Sequence, residues 1–275
     1  MTLLRWICLT PSDPLKANQP IGILDSGIGG LSVFNEIRKA LPYESIAYFG
    51  DSAWCPYGER DADEIIRRVV TVTDFLLSIH CKIIVIACNS ATIAAVEALR
   101  ASYPVPFVGM EPGIKPAAVM SKTGTIGVLA TEASLAGDKF HRLINDHGKG
   151  VNIITRPCPN FVNLVERGEL SSPKARAIVE EELAPLINAN ADVLVLGCTH
   201  YPFLRPLIEE VAGPNVTVMD TGVAVAHRVN HFIPGDVVPT KPNYTIFTSG
   251  ELSHLNHVLP ILCPGLKAST HHADI

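Results

Sequence analysis

From Ile21 onward, short runs of β-branched and aliphatic residues alternate with stretches of helical periodicity. The runs Ile21–Leu24, Ile46–Phe49, Ile83–Ala87, Ile126–Leu129, Val151–Thr155, Val193–Leu196 and Val216–Met219 are candidate strands. Several are uniformly apolar, as strands buried on both faces of a mostly parallel sheet must be. Between them, Leu31, Phe34, Ile37 and Leu41 mark one helix, and Ile65, Val69, Val72 and Leu76 recur at i, i+4, i+7 and i+11. Val179, Leu183 and Leu186 follow the same pattern behind Ser172-Pro173, a cap residue followed by proline at the first helical position. Alternation of this kind predicts an α/β architecture of parallel sheets flanked by helices.

The pattern also repeats. Residues 21–24 read IGIL and 126–129 read IGVL, 105 positions apart; residues 83–89 read IIVIACN and 193–199 read VLVLGCT, 110 apart. Two matches in the same order at nearly the same offset predict two pseudo-symmetric halves. In the second match a buried strand runs into a small residue and then a cysteine, Cys88 or Cys198. Halves packed face to face would set these cysteines on opposite walls of one cleft.

Composition narrows the classes of function. At 275 residues the chain has room for one large domain or two modest ones, and 47% hydrophobic with 18% charged residues is ordinary for a globular protein. A net charge of −5 without a basic stripe argues against a nucleic-acid partner. No apolar run approaches a membrane span. Residues 1–20 hold only a short apolar stretch interrupted by Pro11 and Pro14, which reads as a loosely ordered extension rather than a signal peptide. Seven cysteines, odd in number and without a C-x-x-C pair, argue against a disulfide framework and for the cytoplasm.

Ligands of open parallel sheets bind beyond the carboxyl ends of the strands, where Cys88 and Cys198 fall. Each is followed by a helical pattern (Ala91–Leu99, and Phe203, Leu207, Val211) whose N-terminus would favour a thiolate, lowering its pKa from about 8.5 toward neutrality. A lone cysteine is more often a core residue, but two at equivalent points of a repeat point to chemistry. Zinc held by Cys88, Cys198 and His200 is one option, weakened by the lack of closely spaced ligand pairs. A thiol nucleophile with a His–acid partner is another, but it needs only one cysteine. Proton transfer at a stereocentre requires an acid and a base of matched pKa on opposite faces of the substrate, which a duplicated thiol supplies.

Two further clusters stand out. In IGILDSGIGGLSVF, Asp25 and Ser26 end a strand before the turn of Gly27, Gly29 and Gly30. A dinucleotide loop would carry glycine where Ser32 stands and would not set Asp25 against a phosphate. Asp25 and Ser26 instead suit a substrate ammonium group or the orientation of a thiol. The segment 54–60, WCPYGER, reads as a loop able to line a pocket.

Together these strings resemble the glutamate racemases of the aspartate/glutamate racemase superfamily. The resemblance covers about residues 21 to 250: DSGIGGLSV at 25–33, GDSAWCPYG at 50–58, ACNSAT at 87–92, GMEPGIKPA at 109–117, CPNFVNLVERG at 158–168 and GCTHYPFL at 197–204. It implies a pyridoxal-independent enzyme interconverting L- and D-glutamate for peptidoglycan, with no cofactor and no metal. It implies Cys88 and Cys198 as the catalytic pair, Asp25 assisting one thiol, and Glu166 and His200 supporting the other. Substrate contacts would come from Asp25, Ser26, Tyr57, Gly58, Asn89, Ser90, Thr199 and His200. The family fold implies a discontinuous first domain (21–113 plus 222–275), a second domain (114–221), and a possible homodimer. An aspartate racemase of the same superfamily, a zinc hydrolase and a non-catalytic binding protein are the rival readings. The sequence departs from the family pattern in Ser90, where threonine is common, in the N-terminal extension, and in the tail after Leu252.

Overall fold

The computed structural model describes residues 19–233 and 241–275, so the expected extension lies outside the described residues up to residue 18. Among the described residues ten strands form two sheets: β1 (Ile21–Asp25), β2 (Ile46–Gly50), β3 (Ile83–Ile86), β4 (Phe107–Gly109), β5 (Thr125–Ala130), β6 (Asn152–Pro157), β7 (Val193–Gly197), β8 (Thr217–Met219), β9 (Tyr244–Thr248) and β10 (Ser269–His272). The first sheet has the order β10-β9-β2-β1-β3-β4 and the second β6-β5-β7-β8. All pairings are parallel.

The pseudo-symmetry lies in the strand order. β2-β1-β3-β4 and β6-β5-β7-β8 are the same arrangement, with β1 matching β5 and β3 matching β7. Registers agree as well: Ile21 sits beside Ile83 in one sheet and Ile126 beside Val193 in the other. β1, β3 and β7 are buried at every residue, which accounts for their uninterrupted apolar runs. The flanking helices bury their periodic faces: Leu31, Phe34 and Ile37 on α1 (Leu31–Ala40), and Ile65, Val69, Val72 and Leu76 on α2 (Ala62–Ser78). Asp61 caps α2 by accepting the Glu64 N–H.

All seven expected strands are present, with ends shifted by one or two residues, and three strands were not expected. The tail that matched no pattern forms a helix (Leu252–Leu262) and β10, and β9 pairs with β2 from Ile46 opposite Tyr244 to Gly50 opposite Thr248. The first sheet is thus drawn from both ends of the described chain and the second from its middle. Among the described residues no helix is long and apolar enough to cross a membrane.

Candidate active site

Both thiols stand just past corresponding strands, β3 and β7, and line one cavity of about 280 Å³ of empty space, its mouth included. Cys88 is the N-cap of α3 (Asn89–Ser102); its sulfur accepts the Ala91 N–H at 3.4 Å and donates to Ser26 Oγ at 3.8 Å. The expectation of a lowered pKa here is overturned. Burial pushes the Cys88 thiol up to about 12, the negative charge of Asp25 adds to this, and the helix amide offsets only part of it. After Cys198 a short 3-10 turn (Tyr201–Leu204) comes first, and the expected α-helix begins only at Arg205 (Arg205–Ala212), so Cys198 does not cap it as Cys88 caps α3. Its sulfur lies 3.6 Å from His200 Nδ1 instead.

His200 is buried, and its other nitrogen, Nε2, meets Glu166 Oε1 at 2.7 Å. Burial alone would strip the proton from His200. Contacts with Cys198 and Glu166 outweigh it and hold the imidazole's pKa well above its usual value. Glu166 is likewise pushed up by burial, but His200, the Ile28 N–H and Cys55 reverse this, and it stays below the ordinary carboxylate range. Both shifts favour the charged pair, an imidazolium against a carboxylate.

The glycine turn explains how this pair fits. A Cβ on Gly27 would lie 2.2 Å from Glu166 Oε1, and one on Gly29 would lie 2.3 Å from His200 Nδ1. Neither residue has a positive φ, so clearance rather than backbone conformation demands glycine at both. The turn is a cradle for side chains arriving from the other half, not a phosphate loop.

Asp25 sits behind the cavity. Its Oδ2 accepts the Gly27 and Gly30 N–H groups at 3.2 and 3.0 Å, and its Oδ1 accepts the Thr199 hydroxyl at 3.2 Å. None of its hydrogen bonds reaches a thiol, so any help it gives Cys88 is electrostatic. Burial raises its pKa, against the opposing influence of His200 and the two glycine amides.

Of the remaining expected residues, Ser26, Tyr57, Gly58, Asn89, Ser90 and Thr199 all line the cavity. Asn89 Oδ1 is buried without a hydrogen-bond partner, a vacant acceptor that a bound ammonium group would satisfy. The Tyr57 hydroxyl donates to Asp51 Oδ2 at 2.5 Å; Arg68 and Ser249 hold the same carboxylate. That bond fixes the Tyr57 side chain in the wall. Ser90 Oγ lies 3.0 Å from Thr131 Oγ1 and 3.3 Å from Ser134 Oγ. Thr131 and Val162, which line the cavity from the second half, escaped the sequence reading. Thr131 follows β5 as Ser26 follows β1, and carrying the repeat through to that strand end would have found it.

Cys55 also escaped it as a site residue. Its thiol donates to Glu166 Oε1 at 3.6 Å. Cys55, Glu166 and His200 are the only group of potential metal ligands that converges among the described residues. The set expected for zinc, Cys88, Cys198 and His200, is not brought together as one, and the group that does converge already forms an ion pair.

Residues 21–229 match the Asp/Glu/Hydantoin racemase family model. The chain belongs to this family. It is accordingly an isomerase, an amino-acid racemase of the class that works without pyridoxal phosphate. Over 241 residues it is 50% identical to the glutamate racemase of Herpetosiphon aurantiacus, covering 86% of this chain and 95% of that one. A glutamate racemase isoform from Bacillus anthracis superimposes with a TM-score of 0.85 at 31% identity, over 94% of this chain and 98% of the other. The Escherichia coli glutamate racemase, solved with L-glutamate and the activator UDP-MurNAc-Ala, superimposes with a TM-score of 0.83 at 29% identity, over 92% and 98%.

Proposed function

We propose that this racemase interconverts L- and D-glutamate by a two-base transfer between Cys88 and Cys198, and that its product serves peptidoglycan synthesis. The observation that carries the reading is that two thiols from equivalent strand ends of two like halves line one cavity. In one direction the thiolate on one wall takes the Cα proton. The thiol on the other wall then delivers its proton to the opposite face of the carbanion, leaving the inverted amino acid and the thiolate on the second wall. Proton exchange with solvent resets the pair.

The Cα–H bond is barely acidic, so charge building on the α-carboxylate needs donors already in place. The hydroxyls of Ser26, Ser90 and Thr199 and the amides at the start of α3 supply them. The Asn89 carbonyl oxygen suits the substrate ammonium, and the Asp25 carboxylate behind the wall adds negative charge at longer range; the ammonium's positive charge offsets what burial imposes on Cys88. His200 Nδ1 is placed to pass a proton to and from the Cys198 sulfur.

Glutamate rather than aspartate is favoured by its relatives, the glutamate racemases of Herpetosiphon aurantiacus and Bacillus anthracis among them. Circular dichroism with L-glutamate, L-aspartate and no added cofactor distinguishes the two substrates. In D₂O, Cys88→Ser and Cys198→Ser should each lower racemisation at least about 100-fold. Near-normal turnover by either variant would overturn the two-thiol mechanism, and preference for aspartate would overturn the substrate.

A further inference from the structure

We propose that Cys55 is a positioning residue for the Cys198 half of the reaction, acting through Glu166 and His200. The inference rests on the two-thiol reading. Cys55 does not line the cavity, although its neighbours Pro56, Tyr57 and Gly58 do. Its thiol turns the other way, toward Glu166 Oε1 at 3.6 Å. The same oxygen meets His200 Nε2 at 2.7 Å and accepts the Ile28 N–H at 2.9 Å. His200 Nδ1 then faces the Cys198 sulfur at 3.6 Å. The contacts run unbroken from Cys55 to Glu166, to His200, to Cys198.

The space for this arrangement is built in. A Cβ on Gly27 would lie 2.8 Å from Cys55 Sγ as well as 2.2 Å from Glu166 Oε1, so one glycine leaves room for both partners. Burial keeps the thiol protonated, with a pKa pushed up to about 12, so it is an S–H donor at working pH. A carboxylate buried against an imidazolium needs each remaining lone pair satisfied, and this thiol satisfies one. Asp25 and Tyr48 are the other ionisable groups that bear on the cluster, and both also stand within the influence of Glu166.

Nothing equivalent stands behind Cys88, whose sulfur contacts Ser26 and the Ala91 amide. A change at Cys55 therefore reaches Cys198 through direct contacts that Cys88 does not share. Because the products are mirror images, the equilibrium constant is one, and kcat/KM must be the same in both directions for any variant. The asymmetry appears in kcat and KM separately.

The test uses Cys55→Ala and Cys55→Ser in the full chain. With the alanine variant, Glu166 loses a hydrogen-bond donor and holds the imidazolium more strongly, so His200 should lose its proton at a pH higher by about half a unit or more, read by NMR of its imidazole nitrogens. In racemisation assays kcat should fall about tenfold in one direction, with KM falling alongside, and much less in the other. The serine variant, which restores a donor, should recover most of both effects. An unmoved His200 titration, or an equal fall of kcat in both directions, would overturn the proposal. If the unaltered protein does not racemise glutamate, the functional reading fails by that result alone, while the His200 titration still decides whether Cys55 acts on the pair.

Discussion

Replacing a hydrogen by a methyl group at Gly29 separates clearance from chemistry. The residue touches no thiol, yet its missing Cβ is the space that His200 Nδ1 occupies. Gly29→Ala should displace the imidazole by an ångström or more while leaving the surrounding strands in place. Displacements of that size cost about 100-fold in rate when the moved group serves the reacting atoms. Steady-state assays together with a melting curve check this: turnover should collapse with little change in melting temperature. A variant that keeps its turnover would mean that His200 has room elsewhere. The glycines were legible in the sequence as a turn, and their purpose was not. The residues they make way for, Glu166 and His200, lie well over a hundred positions further on, and pattern within a segment carries no record of what packs against it.

At the scale of elements, the turn entering β5 shows how one carboxylate fixes a connection. Asp192 directly precedes β7, and its oxygens accept from Ser121 Oγ at 2.6 Å and from the Lys122 and Thr123 amides at 2.6 and 3.1 Å. Burial opposes the charge, but these bonds outweigh it and hold the pKa at about 2 against an ordinary 3.8. A carboxyl whose folded pKa is depressed contributes stability above its unfolded pKa and loses it as pH falls through the folded value. The unaltered protein should therefore melt at a higher temperature than Asp192→Ala at pH 7. The gap should close between about pH 4 and pH 2, and a gap independent of pH would discount the carboxylate. Elements buried on both faces were the readable ones, since β1, β3 and β7 carry their burial as continuous apolar runs. The strands that were missed lack that signature. β4 is three residues long between Pro106 and Met110, and β10 reads Ser-Thr-His-His with no apolar residue at all. Each is specified by the neighbour it pairs with.

Across the whole molecule, the two halves are joined at the cavity itself. Ser32 Oγ on α1 donates to the Thr199 carbonyl at 2.8 Å, the Thr199 hydroxyl reaches Asp25, and the Ile28 amide reaches Glu166. The like strand order does not extend to these helpers: Asp25 closes β1 where Ala130 closes β5, and His200 stands where the first half has Ser90. Because the Ser32 bond spans the halves without touching either thiol, Ser32→Ala should weaken closure over substrate rather than proton transfer. The expected result is a KM raised several-fold for both enantiomers, with kcat changed by less than about twofold. A kcat loss confined to one direction would instead tie Ser32 to one of the thiols.

The way the first sheet gathers its strands bears on how the chain is made. Among the described residues β9 is the partner of the outer edge of β2, and it comes after every strand of the second sheet in chain order. Synthesis proceeds from the N-terminus at about 5–20 residues per second, and domains fold as they emerge. The second sheet can close while β2 still presents a bare edge of unpaired amides and carbonyls, the kind of edge on which nascent chains associate. The carboxylate that holds Tyr57, Asp51, also receives the Ser249 hydroxyl only once that late segment arrives. On the ribosome, the wall that faces the substrate is secured only after the second sheet can close, and a chaperone that shields β2 in the interval would protect activity and solubility together.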